Sequence, residues 1–194
     1  MSEAKKHYNQ GCVFGRVIEE PKKETSTGGQ DYITFKVNCS GPKSGMVTAY
    51  CRIWTPERVV PFLQHWRSNP DSPLFLKGLF SQYKDEKNRF MSNFTVFHWD
   101  PRETVDPRAV FILRGVVEQA QAWDCGQRLL FSVKREGQNE ENFELWCPAE
   151  SLLDMAEPGQ FLEVKGYVRQ ENPEDEFGGS DGPVRAYVHQ LRKL

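Results

Sequence analysis

Two stretches of this chain place flat aromatic rings and cations at alternate positions. They read DYITFKVN (31–38) and VTAYCRIW (47–54), and both alternate apolar with polar residues, which is the period of a strand with one buried face. The polar sides carry five candidate functional residues: Tyr32, Lys36, Tyr50, Arg52 and Trp54. Rings stack on bases and cations attract phosphates, so this pattern suits contact with an unpaired nucleic-acid strand.

The opposite side of each stretch is expected to fill a core. Its members are Ile33, Phe35, Val37, Val47, Ala49, Cys51 and Ile53. Structural alternatives stay open for the outward residues. Trp54 could pack on the segment that follows it, the two tyrosines could cover an interface, and the cations could be ordinary solvated surface charges.

Two loops flank the alternating stretches and carry further candidates. The segment EEPKKETSTGGQ (19–30) is interpreted as a flexible loop, and YKDEKNRF (83–90) as the tip of a hairpin. They add six candidate contacts to a nucleic-acid strand: Lys22, Lys23, Tyr83, Lys84, Lys87 and Arg89. Two acids in the same tip, Asp85 and Glu86, keep its net charge modest.

The chain also has the pattern of one unit written twice. IWTPE (53–57) and LWCPAE (145–150) both place Trp two residues before Pro. Five further features recur in the same order: a first strand with a central Gly, an alternating second strand, a short helix-like segment, an apolar-Lys-Gly-apolar strand and a closing strand. Between the copies, DPRETVDPR (100–108) has two Asp-Pro steps and indicates a linker. The predicted units are therefore residues 1–99 and 109–194.

Each unit is predicted to run strand, strand, strand, short helix, strand, strand, with the helices expected in ERVVPFLQHW (57–66) and ESLLDMA (150–156). This order is typical of the five-stranded Greek-key barrel called the OB-fold. We predict an all-β protein of two tandem OB-fold barrels, each with a short helix between its third and fourth strands. Glycines are expected to let the first and fourth strands bend, at Gly15, Gly115, Gly78 and Gly166.

The first unit resembles bacterial and phage single-stranded DNA-binding proteins. The motifs GRVIEEP, ITFKVN, TAYCRIW, LFLKGLF and YKDEKNRF follow one another along the chain. In that family, a GR-V or GRL opening precedes an aromatic-x-Arg-Val strand, a helix, an apolar-x-Gly strand and a basic hairpin. The match covers most of residues 10–99. The second unit is similar only as an OB-fold, although some bacterial relatives carry two such units in one chain.

The resemblance implies a non-enzymatic protein that coats single-stranded DNA, with little sequence preference, in replication, recombination or repair. Tyr50 falls where the family has a base-stacking aromatic residue, and Arg52 matches the Arg that follows it. The resemblance further implies a cytoplasmic protein of bacterial or phage origin. Its partners would be DNA, replication or repair proteins, and a second copy, since a homodimer would present four OB units.

The second unit differs from the first in charge. Residues 1–106 hold 15 Lys and Arg against 12 Asp and Glu, whereas residues 107–194 hold 10 against 15. Asn142 and Glu144 stand at the positions of Tyr50 and Arg52, and a carboxylate there would repel phosphate. We therefore expect interaction or oligomerisation from this unit. A partial contribution to DNA binding stays open for Trp123, Arg128 and Lys134.

The sequence argues against other classes. It has no P-loop, no GxSxG and no paired-histidine motif, so no enzymatic activity, cofactor or metal is expected. No apolar run is long enough for a membrane span, and the N-terminus lacks a signal-peptide pattern. Buried reduced thiols are expected at Cys12, Cys39, Cys51, Cys125 and Cys147. The main alternative function is an OB-fold adaptor that binds proteins without significant DNA binding.

Overall fold

The computed structural model describes residues 6–40, 47–86, 90–104, 106–123, 126–148, 156–170 and 184–194. Within these residues the chain forms one helix and eleven strands. In chain order they are β1 (Tyr8–Val17), β2 (Lys22–Thr25), β3 (Asp31–Asn38), β4 (Thr48–Ile53), α1 (Pro56–Ser68), β5 (Leu74–Lys84), β6 (Phe90–Pro101), β7 (Arg108–Trp123), β8 (Gly126–Val133), β9 (Glu141–Pro148), β10 (Phe161–Gln170) and β11 (Val184–Lys193).

The two halves have the same strand pairing. In the first, β1 pairs antiparallel with both β3 and β5, β3 pairs with β4, β5 pairs with β6, and a short parallel contact between β4 and β6 closes the barrel. In the second, β7, β8, β9, β10 and β11 repeat these pairings, including the parallel contact of β9 with β11. The predicted all-β class and tandem OB-folds are confirmed.

Two local predictions need correction. The segment expected to be a flexible loop contains β2, an edge strand that pairs antiparallel with β3. The first helix is also longer than the short segment expected at 57–66, because α1 runs for 13 residues, with Pro56 in its first turn and Pro61 inside it. The second expected helix, at residues 150–156, lies almost wholly outside the described residues.

Aromatic packing ties α1 to the first barrel. Phe62, the fully buried residue of the helix, contacts the ring of Phe35 at 4.6 Å between centroids and the ring of Trp99 at 5.6 Å. Phe35 is thereby confirmed as a core residue. Trp66 is half-buried and packs against the same core from the last turn of the helix. The helix therefore packs against the core of the first barrel and contacts β3, one of the two strands that carry the candidate site.

The thiols at Cys39, Cys51 and Cys147 are buried, as expected, while Cys12 is only half-buried and Cys125 lies outside the described residues. Burial raises the pKa of Cys39 and of Cys147 to about 12, so both thiols stay protonated at neutral pH. They act as small apolar core residues.

The glycines of the first strands mark close backbone contacts. A Cβ at Gly15 would lie 2.1 Å from the carbonyl oxygen of Asn38, and one at Gly115 would lie 1.9 Å from that of Ser132. The two units also share an irregularity in the pairing of their last two strands. One extra residue bulges from the closing strand in each, Phe97 of β6 opposite the step from Lys77 to Gly78 and His189 of β11 opposite the step from Lys165 to Gly166. The repeat seen in the sequence therefore extends to the backbone irregularities.

The two barrels join through their first strands. β1 and β7 pair antiparallel over seven residue pairs, from Tyr8 with Arg114 to Phe14 with Arg108, and the pair Gly11 and Phe111 lies at the centre. Within these first strands, a residue and its counterpart in the other unit are 100 positions apart, so the pairing is related to itself by an internal pseudo-two-fold axis. One continuous eleven-stranded sheet runs through both units.

A phenylalanine cluster fills the space beneath this junction. The Phe80 ring stacks on Phe111 of the second unit at 4.6 Å between centroids and on Phe143 at 5.5 Å, and it contacts Phe94 at 5.5 Å. All four rings are almost fully buried. Each large ring buried in this way stabilises the folded state by roughly 1.5–3 kcal/mol, so the two barrels form one core.

A charge network stabilises the second barrel. The carboxylate of Glu163 is almost fully buried and contacts Arg114 at 2.7 Å, Arg192 at 3.6 Å and Lys165 at 3.9 Å. Burial alone would raise the pKa of Glu163, but the hydrogen bond from Arg114 and the three positive charges hold that pKa below its ordinary value of 4.5. The ionised carboxylate therefore favours the folded state.

A substitution at Gly78 of β5, which lies opposite the bulge in β6, tests whether the close backbone approach excludes a side chain. A Cβ at Gly78 would lie 1.8 Å from the carbonyl oxygen of Thr95, so Gly78→Ala is expected to lower the free energy of unfolding by at least about 1–3 kcal/mol. Gly28→Ala is the control, because the nearest atom to its Cβ would be 3.9 Å away. Chemical denaturation of both variants measures the difference, and equal stabilities would contradict this interpretation.

The Glu163 network gives a pH-dependent prediction. Because its pKa is lowered on folding, its contribution is complete above the unfolded pKa near 4.5 and is lost as pH falls through the folded value. Glu163→Gln should therefore unfold more easily than the unmodified protein at pH 7, with the difference shrinking in acid. Denaturation across pH measures this, with Glu136→Gln, an exposed carboxylate, as control. A pH-independent difference would contradict the ionic account.

Candidate nucleic-acid interface

The outward faces of β3 and β4 meet as the sequence predicts. In both strands buried and half-buried residues alternate, with Ile33, Phe35, Ala49, Cys51 and Ile53 among the buried ones. Residues directly opposite each other in an antiparallel pair lie on the same face. The register therefore brings the five candidates together on one side of the barrel.

Cross-strand rows define the geometry of this side. In the first row, Glu24 of β2 lies opposite Tyr32, whose ring stacks on Trp54. The second row contains Lys22, Thr34, Arg52 and Thr95, and the third contains Lys36, Tyr50 and Asn93. Successive rows on one face are about 7 Å apart, since each strand residue advances about 3.3 Å. This spacing is close to that of successive nucleotides in an extended strand.

The first row holds a ring platform. Tyr32 and Trp54 stack with 4.3 Å between ring centroids and 27° between planes. The Tyr32 hydroxyl donates a hydrogen bond of 2.7 Å to the Glu24 carboxylate, which raises the pKa of the phenol and fixes the direction of the ring. Both rings are half-buried, so the platform is held in place while part of it faces solvent.

Arg52 is the central cation of the second row. Its guanidinium donates to the hydroxyl of Thr95 at 3.0 Å and, at 3.4 Å each, to oxygens of Ser81 and Asn93, all neutral acceptors. It also lies over the Trp54 ring, 5.5 Å from the centroid. Partial burial lowers the pKa of Arg52, although an arginine stays protonated at neutral pH. Within the described ranges no carboxylate forms an ion pair with it, so its charge is available to an anion.

The third row couples a ring to a cation. The Lys36 ammonium lies 5.7 Å from the centre of the Tyr50 ring and 3.4 Å from the Glu19 carboxylate. Both residues of that ion pair are about one-third exposed, so water and salt weaken it. A phosphate could therefore replace Glu19 as the partner of Lys36.

Most residues of these rows line an open groove of about 460 Å³, whereas Trp54 and Thr95 lie outside its lining. Half-exposed Tyr83 extends from the β5–β6 hairpin at its end and also borders a second concavity at the junction of the two units. The side-chain amide of Gln82 accepts a 2.7 Å hydrogen bond from the backbone N–H of Glu144 and donates one of 3.2 Å to its carbonyl. The second barrel thus braces the hairpin that carries Tyr83.

The remaining candidates are placed differently. Lys22 faces the groove, but Lys23 lies opposite buried Ile33 on the other side of β2, where it pairs with Asp31 at 2.6 Å.

Lys84 borders the junction concavity, with its ammonium 5.1 Å from the Phe90 ring, and does not line the groove. Two further predicted contacts, Lys87 and Arg89, lie outside the described residues. Of the predicted set, the structure thus does not bring Lys23 or Lys84 to the groove, and Trp54 stacks on the lining residue Tyr32 without lining the groove itself.

Sequence reasoning missed the two carboxylates of the groove, Glu19 and Glu24. In a segment interpreted as a loop, the sequence does not predict which way a side chain points. The orientation of the acids in EEPKKETSTGGQ therefore became clear only once the segment was seen to contain β2. The available signal was the alternation of Lys22 and Glu24 with Lys23 and Thr25, ahead of a Thr-Gly-Gly turn before β3. That arrangement is compatible with a hairpin arm.

The corresponding face of the second barrel is arranged differently. Trp146 lies opposite Arg128, contacts Trp123 edge-on at 4.8 Å, and has the guanidinium of Arg185 over its ring at 4.2 Å. Arg128 in turn pairs with Glu144 at 3.6 Å. The difference from the first barrel is thus the ion pair of Arg128 with Glu144, since Trp54, like Trp146, already lies under an arginine guanidinium.

Comparison with solved structures places this architecture among known folds. A deletion mutant of the single-stranded DNA-binding protein from Thermus aquaticus superposes with a TM-score of 0.66 at 18% identity, covering 97% of this chain and 95% of the other. The wild-type protein gives 0.64 at 17% identity, covering 97% and 94%. This chain has the fold of a tandem-barrel single-stranded DNA-binding protein. The resemblance predicted from the first unit is confirmed at the level of fold and extends over both units.

Neither a protein-family model nor a curated protein matches the sequence. In the described part of the chain no helix is both long and apolar enough to cross a bilayer.

Proposed function

We propose that this protein binds single-stranded DNA, without catalysing a reaction, in the groove of its first barrel. The observation that carries the proposal is one face on which the Tyr32–Trp54 stack, Tyr50 and Arg52 lie together, and Arg52 forms no ion pair with any carboxylate that the structure describes. Unpaired bases have flat faces and a charged backbone, and this face offers a partner for each. The fold shared with a single-stranded DNA-binding protein from Thermus aquaticus supports the same assignment.

Each row would contribute a different part of the binding free energy. A base stacked on an aromatic side chain contributes about 1–3 kcal/mol, and stacking tolerates any base. Phosphate contacts release counterions from the strand and make the affinity depend on salt. Three groove residues, Lys22, Lys36 and Arg52, would supply them. Binding should therefore show little sequence preference overall and should weaken steeply as salt is raised.

The two units would have different functions. We propose residues 1–99 as the DNA-binding unit, 100–108 as the linker and 109–194 as an acidic unit for interaction or oligomerisation. In the second barrel, Glu144 pairs with Arg128 at the row that would otherwise face phosphate. Cytoplasmic action in replication, recombination or repair, with replication or repair proteins as partners, and a homodimer of four barrels complete the proposal.

The direct test is an equilibrium titration of the intact protein with a single-stranded oligonucleotide and with the same sequence as a duplex. Preferential binding of the single strand, weakened by added salt, is expected, because only unpaired bases can reach the ring platform. An interaction adaptor that does not contact DNA would bind neither form, and that result would overturn the proposal.

Charge removal at one arginine and one lysine tests the phosphate contact. Arg52→Gln should lower the affinity for single-stranded DNA about tenfold, as expected for one charge-assisted contact of about 1.5 kcal/mol, and should reduce the slope of log K against log salt by about 0.7. Lys23→Gln removes the same charge on the opposite side of β2 and should change both quantities little. Equal effects of the two variants would indicate a diffuse charge effect instead of a groove contact.

Quenching of tryptophan fluorescence by DNA tests whether bases stack at Trp54 or at another tryptophan. If bases stack on Trp54, oligonucleotide binding quenches its emission, and Trp54→Phe should lose most of that quenching while keeping affinity within a few-fold, since Phe also stacks. Trp146→Phe, at the corresponding position of the second barrel, should keep the quenching. Undiminished quenching in Trp54→Phe would place the stacked bases elsewhere.

A further inference from the structure

One charged group of the groove, Glu24, takes part neither in base stacking nor in phosphate binding. Glu24 is an exposed residue of edge strand β2 and lines the groove directly beside the ring platform. Its two carboxylate oxygens accept hydrogen bonds from the hydroxyl of Tyr32 at 2.7 Å and from that of Thr34 at 2.8 Å. A carboxylate at this place is unexpected for a surface that has to attract phosphates.

The Glu24 carboxylate is ionised at neutral pH. The hydrogen bond from Tyr32 and the one from Thr34 hold its pKa below the ordinary value, and the charge of nearby Lys22 acts in the same direction. Each carboxylate oxygen can accept a further hydrogen bond, since it has two lone pairs and uses one within the protein. Glu24 thus presents fixed, unsaturated acceptors to the groove.

Position and charge restrict what this carboxylate can meet. Glu24 lies opposite Tyr32 in the first row, whereas Lys22 and Arg52 pair in the second row, with the Arg52 guanidinium reaching over the Trp54 ring. A phosphate is repelled by Glu24 and attracted by the two cations. A strand in the groove would therefore turn its backbone toward the second row, and the edge of a base stacked on the platform would face Glu24.

We propose that Glu24 is a specificity-determining residue that favours a cytosine over a thymine on the Tyr32–Trp54 platform. Cytosine carries an exocyclic amino group that donates to a carboxylate, whereas thymine has a carbonyl oxygen at the same place. The two carboxylate oxygens of Glu24 would repel that carbonyl oxygen of thymine. This inference rests on the proposed function, and it adds a base preference at one position to a groove that otherwise tolerates any sequence.

The test compares oligo-dC with oligo-dT of equal length in equilibrium titrations of the full chain, at mildly alkaline pH where cytosine is unprotonated. The measured quantity is the ratio of the two affinities in three proteins: the unmodified chain, Glu24→Gln and Glu20→Gln. The side-chain amide introduced by Glu24→Gln can both donate and accept, so that variant should discriminate little. Glu20→Gln removes the same charge from an exposed neighbour that does not line the groove.

We expect the dC/dT ratio to be about five- to tenfold higher in the unmodified protein than in Glu24→Gln, which corresponds to about 1–1.4 kcal/mol for one polar contact. Glu20→Gln should keep the unmodified ratio. If Glu24 only orients Tyr32, its substitution weakens both oligonucleotides equally and leaves the ratio unchanged. That result overturns the inference while the proposed function stands, whereas no binding to either oligonucleotide overturns the proposed function itself.

Discussion

The register between β3 and β4 is the constraint on which the candidate site depends. Six consecutive residue pairs, from Ile33 with Ile53 to Asn38 with Thr48, fix which side chains share a face. A slip by one residue would turn Phe35 to solvent and bury Lys36, so the apolar core enforces the register. The same free energy that buries one side of the ladder thereby assembles rings and cations on the other.

The second barrel stabilises the first through a shared sheet, a shared core and a contact with the hairpin at the end of the groove. Pairing of β1 with β7 and the shared phenylalanine cluster join the two units into one sheet and one core. Gln82 then connects the hairpin at the end of the groove to the backbone of β9. On its own outer face, the second unit neutralises Arg128 with Glu144 and covers Trp146 with Arg185. Two units with the same strand pairing thus carry unlike surfaces on one continuous sheet.

Much of this arrangement could be predicted from the sequence, because it depends on local period. Alternation placed Tyr50 and Arg52 outward, and the repeated Trp-x-Pro motif revealed the duplication. What escaped prediction depends on partners distant in the chain. β2 has little apolar pattern and is stabilised by its pairing with β3. The sides of the sheet on which Glu24 and Lys23 lie therefore followed only from that pairing. The contact of β1 with β7 likewise joins strands about 100 residues apart.

The central claim is that an unpaired strand lies on the outer face of β3 and β4. Photo-crosslinking of the intact protein to a single-stranded oligonucleotide containing halogenated uracil, followed by peptide mapping, tests it most directly, since such bases crosslink to aromatic side chains that they stack on. Crosslinks are expected at Tyr32, Tyr50 or Trp54. Crosslinks confined to the second barrel, at Trp123 or Trp146, would contradict it.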